Sequence, residues 1–164
     1  MSDLFRSIAC RTQDAVETEG LLTREWLVAN GLGGYASGTV SGVHTRRYHG
    51  LLISALPAPL GRIVMLSDLT EQVVLPDGTK VRLGGEIKAG SPPRFLGPLV
   101  LSEFRLEFGL PVWLYTIGNL VIEKRLLLPH LQNSVHIIYR MVSGDGPVRL
   151  ELWPAVHFRM QEAI

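Results

Sequence analysis

Only one cysteine, Cys10, occurs among the 164 residues, so no intramolecular disulfide can staple this fold. The start of the chain lacks the basic-then-apolar pattern of a secretory signal, and both absences imply a cytoplasmic protein. No apolar run approaches the roughly 18 residues that cross a bilayer, which argues against a membrane partner. Charge of one sign is missing too: 16 Lys and Arg stand against 15 Asp and Glu, a net charge of +1. That balance leaves no electrostatic footprint for nucleic acid, while neutral partners such as polysaccharide remain open. What is present, 46% apolar and 19% charged residues, fits one folded domain with a real core.

The richest stretch runs from Glu25 to Ile53, EWLVANGLGGYASGTVSGVHTRRYHGLLI. It holds Gly31, Gly33, Gly34, Gly38, Gly42 and Gly50 beside Asn30, His44, Arg46, Arg47, Tyr48 and His49. Glycine at this density marks backbone that turns or approaches something closely. Gly31 to Ala36 fits the dinucleotide fingerprint G-x-G-x-x-A, but that motif needs a helix at the glycines and an acid about 20 residues on. Here Gly38 and Gly42 break any helix, and no carboxylate lies between Glu25 and Asp68, so no cofactor is expected. His44 and His49, five apart, are expected on opposite sides of an extended segment, and no cysteine or paired acid completes a metal set.

Three blocks, Arg24-Glu25-Trp26-Leu27, Asn30 to Thr39 (NGLGGYASGT) and Thr45 to Leu52 (TRRYHGLL), resemble the amino-terminal signature of bacterial and archaeal glycogen debranching enzymes of the amylo-α-1,6-glucosidase type. The resemblance continues more loosely through Glu103-Phe104, Pro129-His130 with Gln132-Asn133, and Leu150-Glu151-Leu152. It implies a large β-sandwich of the supersandwich kind that precedes an (α/α)6-barrel catalytic domain several hundred residues long. The barrel is not found in these 164 residues. The implied activity, hydrolysis of α-1,6 branch linkages in glycogen or a related α-glucan, therefore belongs to the whole enzyme, and the chain alone is expected to be inactive. The alternative is a stand-alone carbohydrate-binding or assembly module.

The rest of the chain reads as all-β. Ser2 to Glu19 is the one helix or loose arm, making residues 1–20 an N-terminal arm and 21–164 a single β-sandwich domain. Tyr48 to Ser54, Arg62 to Leu66, Glu71 to Leu75 and Thr79 to Leu83 read as strands, with Pro76-Asp77-Gly78 as a hairpin turn. Gly84 to Pro98 reads as a long loop. Phe104, Leu106 and Phe108 alternate with Arg105 and Glu107 on a half-buried strand, and Gly118-Asn119 joins Val112 to Ile117 with Leu120 to Leu128. Val135 to Val142 and Val148 to Trp153 follow, the turn between them at Gly144 to Pro147. Many short strands between glycine and proline turns predict an antiparallel sandwich. Edge strands left without partners invite a homodimer.

Glycoside hydrolysis needs two carboxyl groups about 5–10 Å apart. Glu25 and Asp68 are the carboxylates least easily assigned to solvated faces, but neither has an evident twin, so no catalytic residue is expected here. The contact residues expected for α-glucan, or for a barrel supplied in cis or in trans, are Asn30, Gly33, Gly34, Tyr35, Arg46, Arg47, Tyr48 and His49. Arginine and histidine hydrogen-bond hydroxyl groups, and tyrosine offers a flat face to a pyranose ring. A competing use of Arg46 or Arg47 is to pair with Glu25 and brace the glycine loops. Cys10 reads as a small thiol packed in or near the core.

Overall fold

The computed structural model describes residues 5–9, 20–85 and 100–162. Their strands form two antiparallel sheets. The first carries, in spatial order, β1 (Phe5–Ala9), β7 (Leu101–Glu107), β8 (Leu110–Ile117), β9 (Leu120–Leu127) and β10 (His136–Ser143). The second runs β11 (Arg149–Met160), β5 (Arg62–Val74), β4 (Gly50–Ala55), β3 (Tyr35–Thr39) and β2 (Glu25–Ala29), with β6 (Lys80–Arg82) paired to β5 as well. This is the all-β antiparallel sandwich that the alternating pattern predicts.

Alternation fixes which side of each strand is inside. In β2 Trp26 and Val28 are buried while Glu25, Leu27 and Ala29 are exposed. Trp26, Val28, Ala36, Leu51 and Val73 from the second sheet meet Leu101, Phe104, Trp113, Ile122 and Leu126 from the first in one apolar cluster. Trp26 and Trp113 touch edge to face, with ring centroids 5.3 Å apart. Their indole N–H groups donate to the carbonyls of Thr39 at 3.1 Å and Val40 at 3.0 Å. Both large rings are thereby buried without leaving a polar atom unpaired.

One polar group interrupts this core. Glu71 points inward from β5, and Lys124 Nζ of β9 lies 2.7 Å from its Oε1 and 2.8 Å from its Oε2. The Tyr139 hydroxyl of β10 donates to the same Oε1, and Lys124 sits 5.1 Å from the centre of the Trp113 ring. Burial, then the Glu71 charge, pushes the Tyr139 hydroxyl pKa up, so it stays a proton donor. Charges this deep are costly unless paired and hydrogen-bonded, and the triad links the two sheets through its partners.

The turns follow their residues. Gly78 takes φ +84°, and Asp77 Oδ1 accepts the Thr79 N–H at 2.8 Å, closing the β5–β6 hairpin. Gly118 at φ +61° leads the two-residue β8–β9 turn. Three expectations need correction. Phe5–Ala9 is a strand paired with β7, not helix or loose arm, because it completes the edge of the first sheet; the other arm residues up to 19 lie outside the described ones. Arg62–Leu66 and all of Glu71–Leu75 but Leu75 are parts of one long strand, since β11 pairs along nearly all of β5. Phe108 is 74% exposed rather than facing the core with Phe104. Glu107 pairs with Leu110, so Phe108-Gly109 is a two-residue turn with φ of +52° and +82°, the handedness that a tight hairpin requires. The predicted loop falls outside the described residues from 86 to 98.

Candidate functional site

The β2–β3 turn is built around Asn30, which has no exposed surface. Its Oδ1 accepts the N–H groups of Leu32 at 2.9 Å and Gly34 at 3.0 Å, closing the turn on itself. Its Nδ2 donates to the Gln132 carbonyl at 2.8 Å and to Asn133 Oδ1 at 3.2 Å, across the gap to the segment between β9 and β10. Asn133 in turn donates to the Ala55 carbonyl at 2.8 Å and accepts the Ala55 N–H at 3.0 Å. Two side-chain amides thus join three segments. Glycine is required at Gly34, where a Cβ would lie 2.8 Å from both Asn30 Nδ2 and the Ile53 carbonyl oxygen. It is required at Gly31 as well, where φ is +82° and a Cβ would meet the His130 ring at 2.7 Å.

The outer side of the second sheet has a different character. Leu27 pairs with Ser37, and with Trp26 and Val28 turned inward both lie on the outer face. The loop after β3 folds onto that face: the Tyr48 carbonyl accepts the hydroxyls of Tyr35 at 3.2 Å and Ser37 at 3.4 Å. The Tyr35 hydroxyl also accepts from Gln161 Nε2 at 2.7 Å. Arg62 Nε donates to the Gly33 carbonyl at 2.8 Å while its guanidinium lies 5.9 Å from the Tyr35 ring centre. Arg46 stands at the same 5.9 Å from the Tyr48 ring, and Arg159 donates to the Arg47 carbonyl at 3.3 Å. Tyr48 and Leu27 keep 40% and 63% of their surface exposed.

Beneath this surface His49 is buried. Its Nδ1 accepts the Thr45 N–H at 3.2 Å, which places the proton of the neutral ring on Nε2. Nε2 is 3.4 Å from Glu25 Oε1, an ion-pair distance without hydrogen-bond geometry. Burial holds the His49 pKa below the ordinary 6.5. The Glu25 carboxyl is held below its usual range, first by its hydrogen bond to Arg46. A general acid needs its pKa raised instead, so Glu25 is set up as the partner of a cation. The Arg46–Glu25 brace considered from the sequence is therefore present. The two histidines do not face apart: a turn from Arg46 to His49 brings the His44 and His49 rings to 5.9 Å. Among the described residues no group of three or more His, Cys, Asp or Glu could hold a metal.

The eight predicted contact residues thus fall into two sets. Asn30 and Gly34 form the buried clamp. Tyr35, Arg46 and Tyr48 lie on the outer face with the carbonyls of Gly33 and Arg47, and His49 underlies it. Sequence reasoning missed Arg62, Arg159 and Gln161, which reach this face from β5 and from β11 and the residue after it. Their only signal was polarity at the ends of apolar strands. The loosely matching pair Gln132-Asn133 proves to be the clamp's far side.

Residues 24–164 match the family model described as glycogen debranching enzyme N terminal. No curated protein and no solved structure matches the chain. The matched span begins at the residue before β2 and takes in the clamp, the outer face and all the strands except β1, and the chain belongs to the glycogen debranching enzyme N-terminal family.

Proposed function

We propose that this chain is the N-terminal β-sandwich of a cytoplasmic glycogen-debranching α-1,6-glucosidase. It supports hydrolysis of α-1,6 branch linkages by an (α/α)6 barrel outside this sequence, and its outer face on the second sheet touches the branched α-glucan. The observation that carries the reading is the union of Tyr35 and Tyr48 rings with the Arg46 and Arg62 guanidinium groups on one exposed face of a family member. Pyranose rings stack on aromatic faces, and their hydroxyls accept from arginine. Near-zero net charge suits a neutral polymer.

Native electrophoresis through gels containing glycogen tests the contact. The 164-residue protein is expected to be retarded, and Tyr48→Ala to migrate as it does without glycogen. Unretarded wild-type protein would overturn the glucan contact. Incubation with a branched limit dextrin is expected to release no glucose, because Glu25 is held as an arginine-paired carboxylate.

A further inference from the structure

Behind the outer face, between the sheets, lies a cavity of about 300 Å³ that the signature stretch lines with Trp26, Gly38, Thr39, Gly42, Val43, His44 and Leu51. Trp26, Trp113 and Tyr115 give it aromatic walls, and His44, Asp68, Glu71, Arg82 and Lys124 are its ionisable lining. We propose that this cavity is a binding site for a neutral sugar of one or two hexose rings, a glucosyl or maltosyl end. The proposal deepens the reading above and rests on it for the identity of the sugar.

Three observations support it. Polar capacity is left over: Lys124 has three N–H groups, Glu71 takes two, and the third has no acceptor among the described residues. The Asp68 carboxylate and the His44 imidazole likewise make no hydrogen bond to a described residue, although both line the cavity. A carboxylate accepts, an ammonium donates and an imidazole does either, a mixture that suits hydroxyl groups, which both donate and accept. Next, the charges balance. Among the described lining residues Asp68 and Glu71 oppose Arg82 and Lys124, and burial holds the His44 pKa down so that the ring is neutral. A charged ligand would bring an uncompensated charge into a half-buried space, so the occupant is neutral. Finally, the indole N–H groups of Trp26 and Trp113 are engaged by backbone carbonyls, which leaves the rings as apolar walls. The volume is at the small end of the roughly 300–1,000 Å³ of small-molecule sites, which limits the ligand to one or two rings.

Trp26 and Trp113 are internal probes, and Trp153→Phe removes the third, exposed indole. In that background, glucose and maltose are each titrated against tryptophan emission of the full chain. Saturable change is expected with at least one of them. Asp68→Ala, at an exposed rim position, is expected to weaken it by about tenfold or more, the worth of one hydrogen bond to a charged group. His44→Gln, which keeps a donor and an acceptor, is expected to weaken it less. Glucose 6-phosphate is expected to bind more weakly than glucose. No saturable change with either sugar, an unchanged affinity in Asp68→Ala with an unaltered unfolding midpoint, or tighter binding of the phosphorylated sugar would each overturn the proposal. Glycogen retardation reports on the outer face independently. Asp68→Ala leaves it intact if the two sites are separate, and loss of retardation with retained maltose binding would fault the outer-face reading alone.

Discussion

Asn30 and Tyr48 stand 18 positions apart in one glycine-rich stretch, and their surroundings are opposites. Around Asn30 both amide groups are bonded to protein, and the glycine beside it approaches backbone too closely for a Cβ. Around Tyr48 the side chains of Tyr35 and Ser37 bind a backbone carbonyl, and the Tyr48 ring is left partly in solvent beside Arg46. The same vocabulary of glycine, amide, ring and guanidinium therefore serves stability at one end of the signature and presentation at the other. What separates the two is whether a polar group finds its partners within the chain.

Substitutions can break that division. Asn30→Leu strands two N–H donors and two acceptors in the interior, each costing about 1–3 kcal/mol when left unsatisfied. Partial rescue by relaxation leaves an expected loss of about 4 kcal/mol in denaturant unfolding. Gly34→Ala forces a methyl against Asn30 and the Ile53 carbonyl, and about 2–3 kcal/mol is expected by the same measurement, the range of overpacked interiors. At the open end Tyr48→Ala is expected to change stability by no more than about 0.5 kcal/mol, yet to abolish retardation by glycogen. A large stability loss there would erase the distinction between clamp and face.

Acidity sharpens the same comparison, because the clamp titrates nothing and the layer beneath the face holds His49. Its pKa in the folded protein is lowered by burial, so the unfolded chain takes up a proton first as pH falls. The stability it contributes is complete above 6.5 and declines as pH drops below that value towards the folded pKa. His44, also lowered by burial, adds to the decline. Glu25, lowered through Arg46, gives a separate loss only below 4.5. His49→Gln is expected to flatten the upper part of this decline without removing it. A pH–stability profile unchanged by the substitution would show that the buried ring is protonated at no cost.

Much of the fold was legible because it follows from period and turn chemistry. Pro76-Asp77-Gly78 and Gly118-Asn119 are hairpins, and Trp26 and Val28 are inside as their alternation requires. Phe108 misled because an apolar side chain at the next alternate position extends a strand pattern equally well when the backbone has already turned. Candidate residues were readable only as a set. Nothing local tells that Asn30 is satisfied by Gln132 and Asn133, about a hundred positions away, or that Gln161 reaches Tyr35.

By itself the sequence determined an antiparallel sandwich, the places where its chain turns, and membership of a family through three spaced blocks, since these depend on residues near one another in the chain. The tertiary structure alone decided which polar groups are already satisfied. It buried Asn30, set His44 beside His49, paired Glu71 with Lys124 across the sandwich, and left Tyr48 and Asp68 exposed. Hydrogen bonds and ion pairs form at about 3 Å between residues whose sequence separation is set by the strand pairing, so their satisfaction is a property of the assembled sheets.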